Sequence, residues 1–386
     1  MRKTNKYMQP QLFTKKKIIL ITNYAKSIID FKLPLMVCLK NKGLNVIVCA
    51  PEFDEDVLLK LSEEGIVFLK IKMDRVGINP LVDFKTFFDL YYLFKKEKPD
   101  FVLNYTIKPI IYSSLAAYYA KVSFIGSMLT GFGSIFLGSN FKTRMLRLFV
   151  KPLFRLALKY NTKIFALNPD IVKTFAKQKI LRPEKTILIN GEGVDIDYYN
   201  FALLPTTDSP IFLIISRLIR DKGIYEYVEA AKIIKKKYPK VRFQAIGGLD
   251  VNPTALTKKE LDNLITDGVV EYLGELNDVR PWISKASVYV LPSYAEGMPR
   301  STLEAMSMGR PVITTDVPGC RETVVDGVNG YLVPVKNVEK LVDAMEKFIL
   351  YTELIAKMGV ESRGIVEDKY DLRKVNKVIL GAMGIN

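Results

Sequence analysis

Val288-Tyr289-Val290-Leu291-Pro292-Ser293-Tyr294-Ala295-Glu296-Gly297-Met298-Pro299-Arg300-Ser301-Thr302-Leu303-Glu304 passes from a short apolar run, through a loop, into a helical pattern. A run without polar alternation reads as a strand buried on both faces, the habit of parallel sheets. Pro299 suits the first turn of a helix, where a missing N–H costs nothing. Strand, loop and helix in that order make half of a βαβ unit. The free amides near Gly297 and Pro299 then lie at a helix N-terminus, which favours a phosphate. Glu296 precedes the helix and Glu304 lies inside it, eight positions later. Two carboxylates so placed suit the vicinal hydroxyls of a nucleotide-sugar. Spacing alone serves a loop charge and a solvated helix face equally well.

The same alternation extends in both directions. Residues 17–22, 45–50 and 101–104 read as buried parallel strands, with an amphipathic helix at 84–96. It restarts after 205–210, where 212–216, 242–247, 269–274, 287–291 and 311–314 read as a second set of strands around helices such as 224–237. Two successive doubly wound α/β units fit this better than one sheet. The expected linker is 197–210, where turn residues gather. Ligands of such units bind outside the carboxyl ends of the strands, so the cleft between the domains is the expected site.

At 386 residues the chain is too long for one ordinary core, and 49% hydrophobic with 25% charged residues excludes wholesale disorder. It contains no histidine, which removes Ser-His and Cys-His nucleophiles and His-based zinc sites. Cys38, Cys49 and Cys320 stand at no metal spacing, and a reducing compartment is the default. The net charge of +16 is one-sided, with +15 of it in residues 1–200. From 101 to 169 there are nine basic residues and no acid, which points to an anionic partner. The apolar run at 18–21 is too short for a signal peptide. The uncharged stretch before Phe141 is broken by Gly126, Gly131, Gly133, Gly138 and Asn140, so it reads as a strand and a glycine-rich loop. No membrane span is expected.

A second loop, Ser216-Arg217-Leu218-Ile219-Arg220-Asp221-Lys222-Gly223, opens the first strand-to-helix turn of the second domain. Two cations there form a natural clamp for a diphosphate, Arg chelating two oxygens. Taken alone, an ordinary basic turn paired with Asp221 explains it better. Asp-any-Asp, the string of metal-dependent transferases, occurs at Asp54-Glu55-Asp56 and at Asp195-Ile196-Asp197. Both contexts are turn-like, and chance is the better reading.

Together, the element from Glu296 to Glu304 and the Arg217–Lys222 loop resemble family 4 of the retaining, nucleotide-sugar-dependent glycosyltransferases. Gly247-Gly248-Leu249-Asp250-Val251-Asn252-Pro253, Thr315-Asp316-Val317-Pro318-Gly319-Cys320-Arg321-Glu322 and the 326–334 loop resemble the same family's further loops, in the bacterial capsule, O-antigen and lipid-linked-glycan type. The resemblance is strong over 205–365 and looser over 17–200. It implies GT-B architecture: an acceptor-binding, membrane-facing Rossmann-like domain at 1–204 facing, across a cleft, a donor-binding one at 205–365. A helix at 366–386 is expected to return towards the first domain. The resemblance assigns Arg217 and Lys222 to the donor diphosphate, Glu296 with the amides of Gly297, Met298 and Pro299 to the transferred sugar, and Glu304 to the ribose. Gly248 joins the donor site, and the base would lie near 273–276. Arg217, Lys222 and Glu296 are the expected catalytic residues. Tyr105, Thr106 and Lys108 are expected acceptor or sugar contacts; relatives often carry His where this chain has Tyr105. No metal or other cofactor is expected, because Arg217 and Lys222 supply a cationic clamp and neither Asp-any-Asp string is well placed; no protein base is required if a departing phosphate oxygen takes the acceptor proton.

The implied reaction moves a sugar, best an N-acetylhexosamine from UDP-GalNAc or UDP-GlcNAc, to a polyprenyl-diphosphate-linked saccharide. UDP-hexose and GDP-mannose are the alternative donors. A different class, a basic nucleic-acid-binding protein, would explain the charge, but no zinc spacing or basic arm accompanies it. A dinucleotide-dependent oxidoreductase would need G-x-G-x-x-G after the first strand, where Asn23-Tyr24-Ala25-Lys26-Ser27 stands instead. Between 141 and 160, Arg144, Arg147, Lys151, Arg155 and Lys159 recur at three- and four-residue steps beside Met145, Leu148, Phe149, Phe154 and Leu156, with Pro152 expected to kink or split the helix. Arg144, Arg147, Lys151 and Arg155 are read as facing an anionic membrane. The expected location is cytoplasmic, peripheral on the inner face of a bacterial plasma membrane.

Overall fold

The computed structural model describes residues 15–74, 79–131, 136, 141–205, 209–250 and 254–385, apart from the side chains of 142 and 143. Gly133, Gly138 and Asn140 of the glycine-rich stretch, and Val251, Asn252 and Pro253, lie outside these residues. The chain divides into two compact units, one holding the residues up to 127 with 160–162 and 385–386, the other holding 128–159 and 163–384.

The amino-terminal strands are β1 (Lys17–Ile21), β2 (Asn45–Ala50), β3 (Val67–Lys70), β4 (Phe101–Tyr105), β5 (Phe124–Leu129), β6 (Lys163–Ala166) and β7 (Thr186–Leu188). Between them run α1 (Lys26–Asn41), α2 (Glu55–Glu63), α3 (Pro80–Glu97), α4 (Ile107–Tyr119), α5 (Phe141–Lys159) and α6 (Pro169–Lys177). The sheet order is β3-β2-β1-β4-β5-β6-β7, with β1 parallel to both β2 and β4. Ile18 to Ile21 and Val46 to Ala50 are buried throughout, as strands covered on both faces must be.

The second sheet runs β10-β9-β8-β11-β12-β13, all parallel. Its strands are β8 (Ile211–Ile215), β9 (Arg242–Ile246), β10 (Glu271–Tyr272), β11 (Val288–Leu291), β12 (Val312–Thr315) and β13 (Gly330–Val333). The helices are α7 (Ile224–Lys237), α8 (Lys258–Ile265), α9 (Arg280–Lys285), α10 (Arg300–Ser307), α11 (Val338–Leu350), α12 (Glu353–Ile365) and α13 (Leu372–Ala382). In its core the Phe212 and Phe243 rings stack at 5.3 Å, and buried Tyr227 donates its hydroxyl to the Phe212 carbonyl at 2.8 Å. Both sheets are doubly wound, as expected.

Two local expectations need correction, and the expected linker shows contacts of its own. The strand expected over 269–274 pairs only at Glu271 and Tyr272. It is the sheet's edge, and Arg242 clasps Glu271 with Nε and Nη2 at 2.7 Å each; short, charged edges discourage further pairing. α5 runs through Pro152 unbroken. The carbonyl that Pro152 deprives of a donor belongs to exposed Leu148, so the loss does not fall in the core. The expected linker is no free tether over its described part. The Tyr199 carbonyl accepts from Ser307 Oγ at 2.7 Å, and the Ala202 amide donates to the Met308 carbonyl at 3.3 Å.

Candidate functional site

In the second sheet the strand order reverses between β8 and β11, and such a switch point opens a crevice at the carboxyl edge. The two loops singled out from the sequence leave the sheet there, 216–223 after β8 and 292–299 after β11. They are knitted together. The Asp221 carbonyl accepts from the Tyr294 amide at 2.8 Å and from Ser293 Oγ at 3.0 Å. Gly223, at φ 73°, passes so close to the Pro292 carbonyl that a Cβ would collide with it, so only glycine fits. The loop after β9 joins them, its Gly248 carbonyl accepting from the Leu218 amide at 3.0 Å.

This framework brings Lys222 and Glu296 together. The Lys222 ammonium donates to Glu296 Oε1, and the two side chains are only 15% and 11% exposed. A pair so enclosed stays poised, because each charge has lost most of its water and relies on the other. The Glu296 amide donates to the Pro318 carbonyl at 3.1 Å, tying in the loop after β12. Burial, and then the Glu296 charge, push the nearby Cys320 thiol up to about 12, which leaves it an inert core group. Arg217 is 57% exposed and pairs with Asp250 at 2.7 Å, so the second expected cation lies at the open rim.

Pro299 is the N-cap of α10 rather than part of its first turn, with φ −75° and ψ 109°. Ser301 Oγ accepts from the Tyr289 hydroxyl at 2.6 Å and donates to the Ile215 carbonyl at 2.9 Å, locking the start of α10 to the end of β8. Met298 packs partly buried against the core, and the Gly297 carbonyl accepts from Asn168 Nδ2 at 2.6 Å. Glu304 is buried one turn further along, 2.9 Å from Arg300 Nε. Tyr199 also hydrogen-bonds it; burial, then the Glu304 charge, raise that phenol's pKa. Ser301, Tyr199 and Asn168 escaped the sequence reading. Only Asn168 left a signal, as the residue before Pro169: its Oδ1 caps α6 through the Ile171 amide at 2.9 Å, and its amide end remains to reach Gly297.

The residues expected from the first sheet lie at the end of β4. Tyr105 is buried, with Lys32 Nζ 5.0 Å from its ring centre. Thr106 sits at φ 76°, a costly conformation for a β-branched residue, and its hydroxyl donates to Asn23 Oδ1 at 2.7 Å. Lys108 is committed to buried Asp83 at 2.9 Å. Arg144, Arg147, Lys151 and Arg155 line one side of α5. Of the two Asp-any-Asp strings, Asp54 caps α2 and Asp195 accepts from the Asp197 and Tyr198 amides, so each has a local structural task. Among the described residues, no helix is long and apolar enough to cross a membrane.

The loop carrying Lys222 is also braced at its outer end. Arg220 pairs with Glu260, the third residue of α8, which forms a capping box with Thr257. The Thr257 amide foremost, then Arg220, hold the Glu260 carboxyl down to about 2. Its folded value is depressed, so its contribution to stability is full above the unfolded value near 4.5 and is lost as pH falls from there towards about 2. Carboxyl carbon shifts followed by NMR should show Glu260 titrating near the bottom of that window. A midpoint above 4 would contradict the brace.

Residues 17–168 match the family described as glycosyl transferase 4-like, and residues 209–350 that described as glycosyl transferases group 1. Among curated relatives, the N,N'-diacetylbacillosaminyl-diphospho-undecaprenol alpha-1,3-N-acetylgalactosaminyltransferase of Campylobacter jejuni is 27% identical, the match covering 87% of this chain and 89% of the relative. The capsular polysaccharide biosynthesis glycosyltransferase CapM of Staphylococcus aureus is 25% identical over 86% of this chain and 87% of its own. HepE of Anabaena, solved with UDP and glucose, superposes with a TM-score of 0.74 at 19% identity, covering 96% of this chain and 99% of the other. That likeness establishes the fold, GT-B.

Proposed function

From its membership of the glycosyl transferase group 1 and 4-like families, to which the chain belongs, we propose that it is a retaining transferase of lipid-linked glycan assembly. It moves an N-acetylhexosamine from a UDP-sugar to a saccharide carried on a polyprenyl diphosphate, in capsule or O-antigen biosynthesis, at the inner face of a bacterial plasma membrane. The observation that carries this reading is the enclosed Lys222–Glu296 pair at the β8/β11 switch point. Such a pair offers a cation suited to a diphosphate beside a carboxylate suited to sugar hydroxyls. The names of the Campylobacter and Staphylococcus relatives support the acceptor and the pathway, and the UDP bound by HepE supports the nucleotide.

In this reading Arg217 and Lys222 hold the donor diphosphate, and Gly248 borders it. Glu296 and the amides at Gly297, Met298 and Pro299 hold the sugar, and Glu304 takes the ribose. Tyr105, Thr106 and Lys108 border the acceptor, and the cations of α5 face the anionic membrane. The bond between the sugar's anomeric carbon and the diphosphate oxygen breaks as the acceptor oxygen bonds on the same face. The departing phosphate oxygen takes the acceptor's proton, which suits a chain without histidine. Fixed cations stabilise the charge that grows on that oxygen, and no divalent metal is needed.

Product release from a panel of nucleotide-sugars, with a short-chain lipid-diphosphate acceptor and EDTA present, tests the reading. UDP-N-acetylhexosamine should turn over with EDTA present. UDP at about a hundred times its Kd should add about 2.7 kcal/mol of stability, while NAD and random DNA add none. Turnover that EDTA abolishes and manganese restores would overturn the metal-free mechanism, and preferred use of UDP-hexose or GDP-mannose would overturn the donor assignment.

A further inference from the structure

α5 and the chain from 176 to 183 enclose a groove of ≈ 1180 Å³ within the second compact unit. From the sequence, the cations of α5 form a stripe on one convex helix face. In the structure they form one wall of a concavity, with Arg144, Arg147, Lys151 and Arg155 on it and Lys159 at its end. Lys179 and Arg182 supply the opposite wall, and no spacing pattern on α5 could have revealed them. Among the lining residues there is no carboxylate. The wall is tied in place where Lys185 Nζ donates to the Lys159 carbonyl at 2.9 Å.

The lining is not only cationic. Phe141 and Leu148 also line it, 79% and 65% exposed. A free phosphate or nucleotide has no use for a wet apolar rim. A phosphate that arrives attached to hydrocarbon does, since it presents charge and apolar surface together. We propose that this groove is a discrete binding site for the phosphate headgroup of an anionic lipid still in its bilayer. Several cations converge on the phosphate while Phe141 and Leu148 enter the headgroup–acyl boundary. The inference rests on the membrane-side reading of α5 and narrows it, from a surface attracted by charge to a site that holds one headgroup. It is independent of the donor sugar.

The test compares two charge-matched pairs in the full chain, bound to phosphatidylcholine vesicles containing phosphatidylglycerol. K179Q/R182Q removes the second wall of the groove, and K258Q/K259Q removes two exposed cations on α8. The groove predicts about a tenfold to thirtyfold weaker vesicle binding for the first pair and almost no change for the second. The charge-keeping variant K179R/R182K should bind as wild type, which separates loss of the site from loss of the fold. Short-chain phosphatidylglycerol should release the protein from vesicles where inorganic phosphate at equal concentration does not. Equal losses from the two Gln pairs would reduce the site to diffuse attraction and overturn the proposal, leaving the broader membrane reading standing. Release by inorganic phosphate as effective as by the short-chain lipid would make the groove a free-anion site and overturn the lipid assignment. Undiminished binding by both pairs would remove the groove from membrane contact altogether.

Discussion

Lys222→Ala should lower kcat by about 10²–10³-fold, the cost of removing one preorganised donor to a developing negative charge. Lys222 is held in place before any donor arrives, because its loop is bonded through the Asp221 carbonyl to Ser293 and Tyr294. The stabilisation therefore needs no rearrangement at the moment of reaction. Glu296→Gln should fall on kcat too, since it removes the carboxylate charge at the proposed sugar position, turns one acceptor oxygen into an amide donor and leaves Lys222 without a counter-charge. Glu304→Gln should behave differently. Ribose contacts are alike in ground and transition states, so the loss should appear mainly in KM. Steady-state kinetics of the three variants, with urea melts to confirm folding, check the division. Wild-type kcat in both Lys222→Ala and Glu296→Gln would remove this pair from the chemistry.

Arg310→Met should destabilise the second unit by about 3–5 kcal/mol, although Arg310 is not among the residues assigned to either substrate. Arg310 is wholly buried, and its charge is answered by backbone rather than by an acid. Its fork donates to the Ile283 carbonyl at 2.9 Å, Ser284 at 2.7 Å, Ala202 at 2.8 Å and Leu203 at 3.2 Å. Burial pulls its pKa down to about 10, so it is still charged at neutral pH. Methionine keeps much of the volume but leaves the carbonyl of buried Ile283, and those of half-buried Ala202 and Ser284, without donors. Arg310→Lys should recover little, because one ammonium cannot match a planar fork. Urea unfolding measures both. A loss below about 1 kcal/mol for Arg310→Met would mean that water replaces the guanidinium at little cost.

The elements most legible in the sequence are those whose burial is uniform. Apart from Lys17 and Asn45 at their first positions, β1, β2 and β8 are apolar and almost wholly buried, and their positions follow from that. The site is legible at the level of loops. A strand end followed by Gly and Pro places the 292–299 turn, and an Arg–Lys loop marks its neighbour. What joins the two loops is not legible, because Lys222 and Glu296 stand 74 positions apart and Asn168 and Gly297 stand 129 apart. Contacts of that separation depend on the closed sheet. Arg310 illustrates the limit from the other side: its partners are carbonyls, which every residue owns, so no side-chain pattern announces them.

Val194 exchanges backbone hydrogen bonds with a segment near the far end of the chain. Its amide donates to the Tyr370 carbonyl at 2.8 Å, and its carbonyl accepts from the Leu372 amide at 3.0 Å. On a ribosome the two partners emerge far apart in time. At about 5–20 residues per second, the 176 residues from 195 to 370 take roughly 10–35 s to make. The first sheet's strands are all synthesised before that interval begins, yet the stretch that follows them waits with its polar groups bare. A nascent chain is therefore open at Val194 for nearly half of its translation. A chain released short of Tyr370 would carry the unpaired edge permanently.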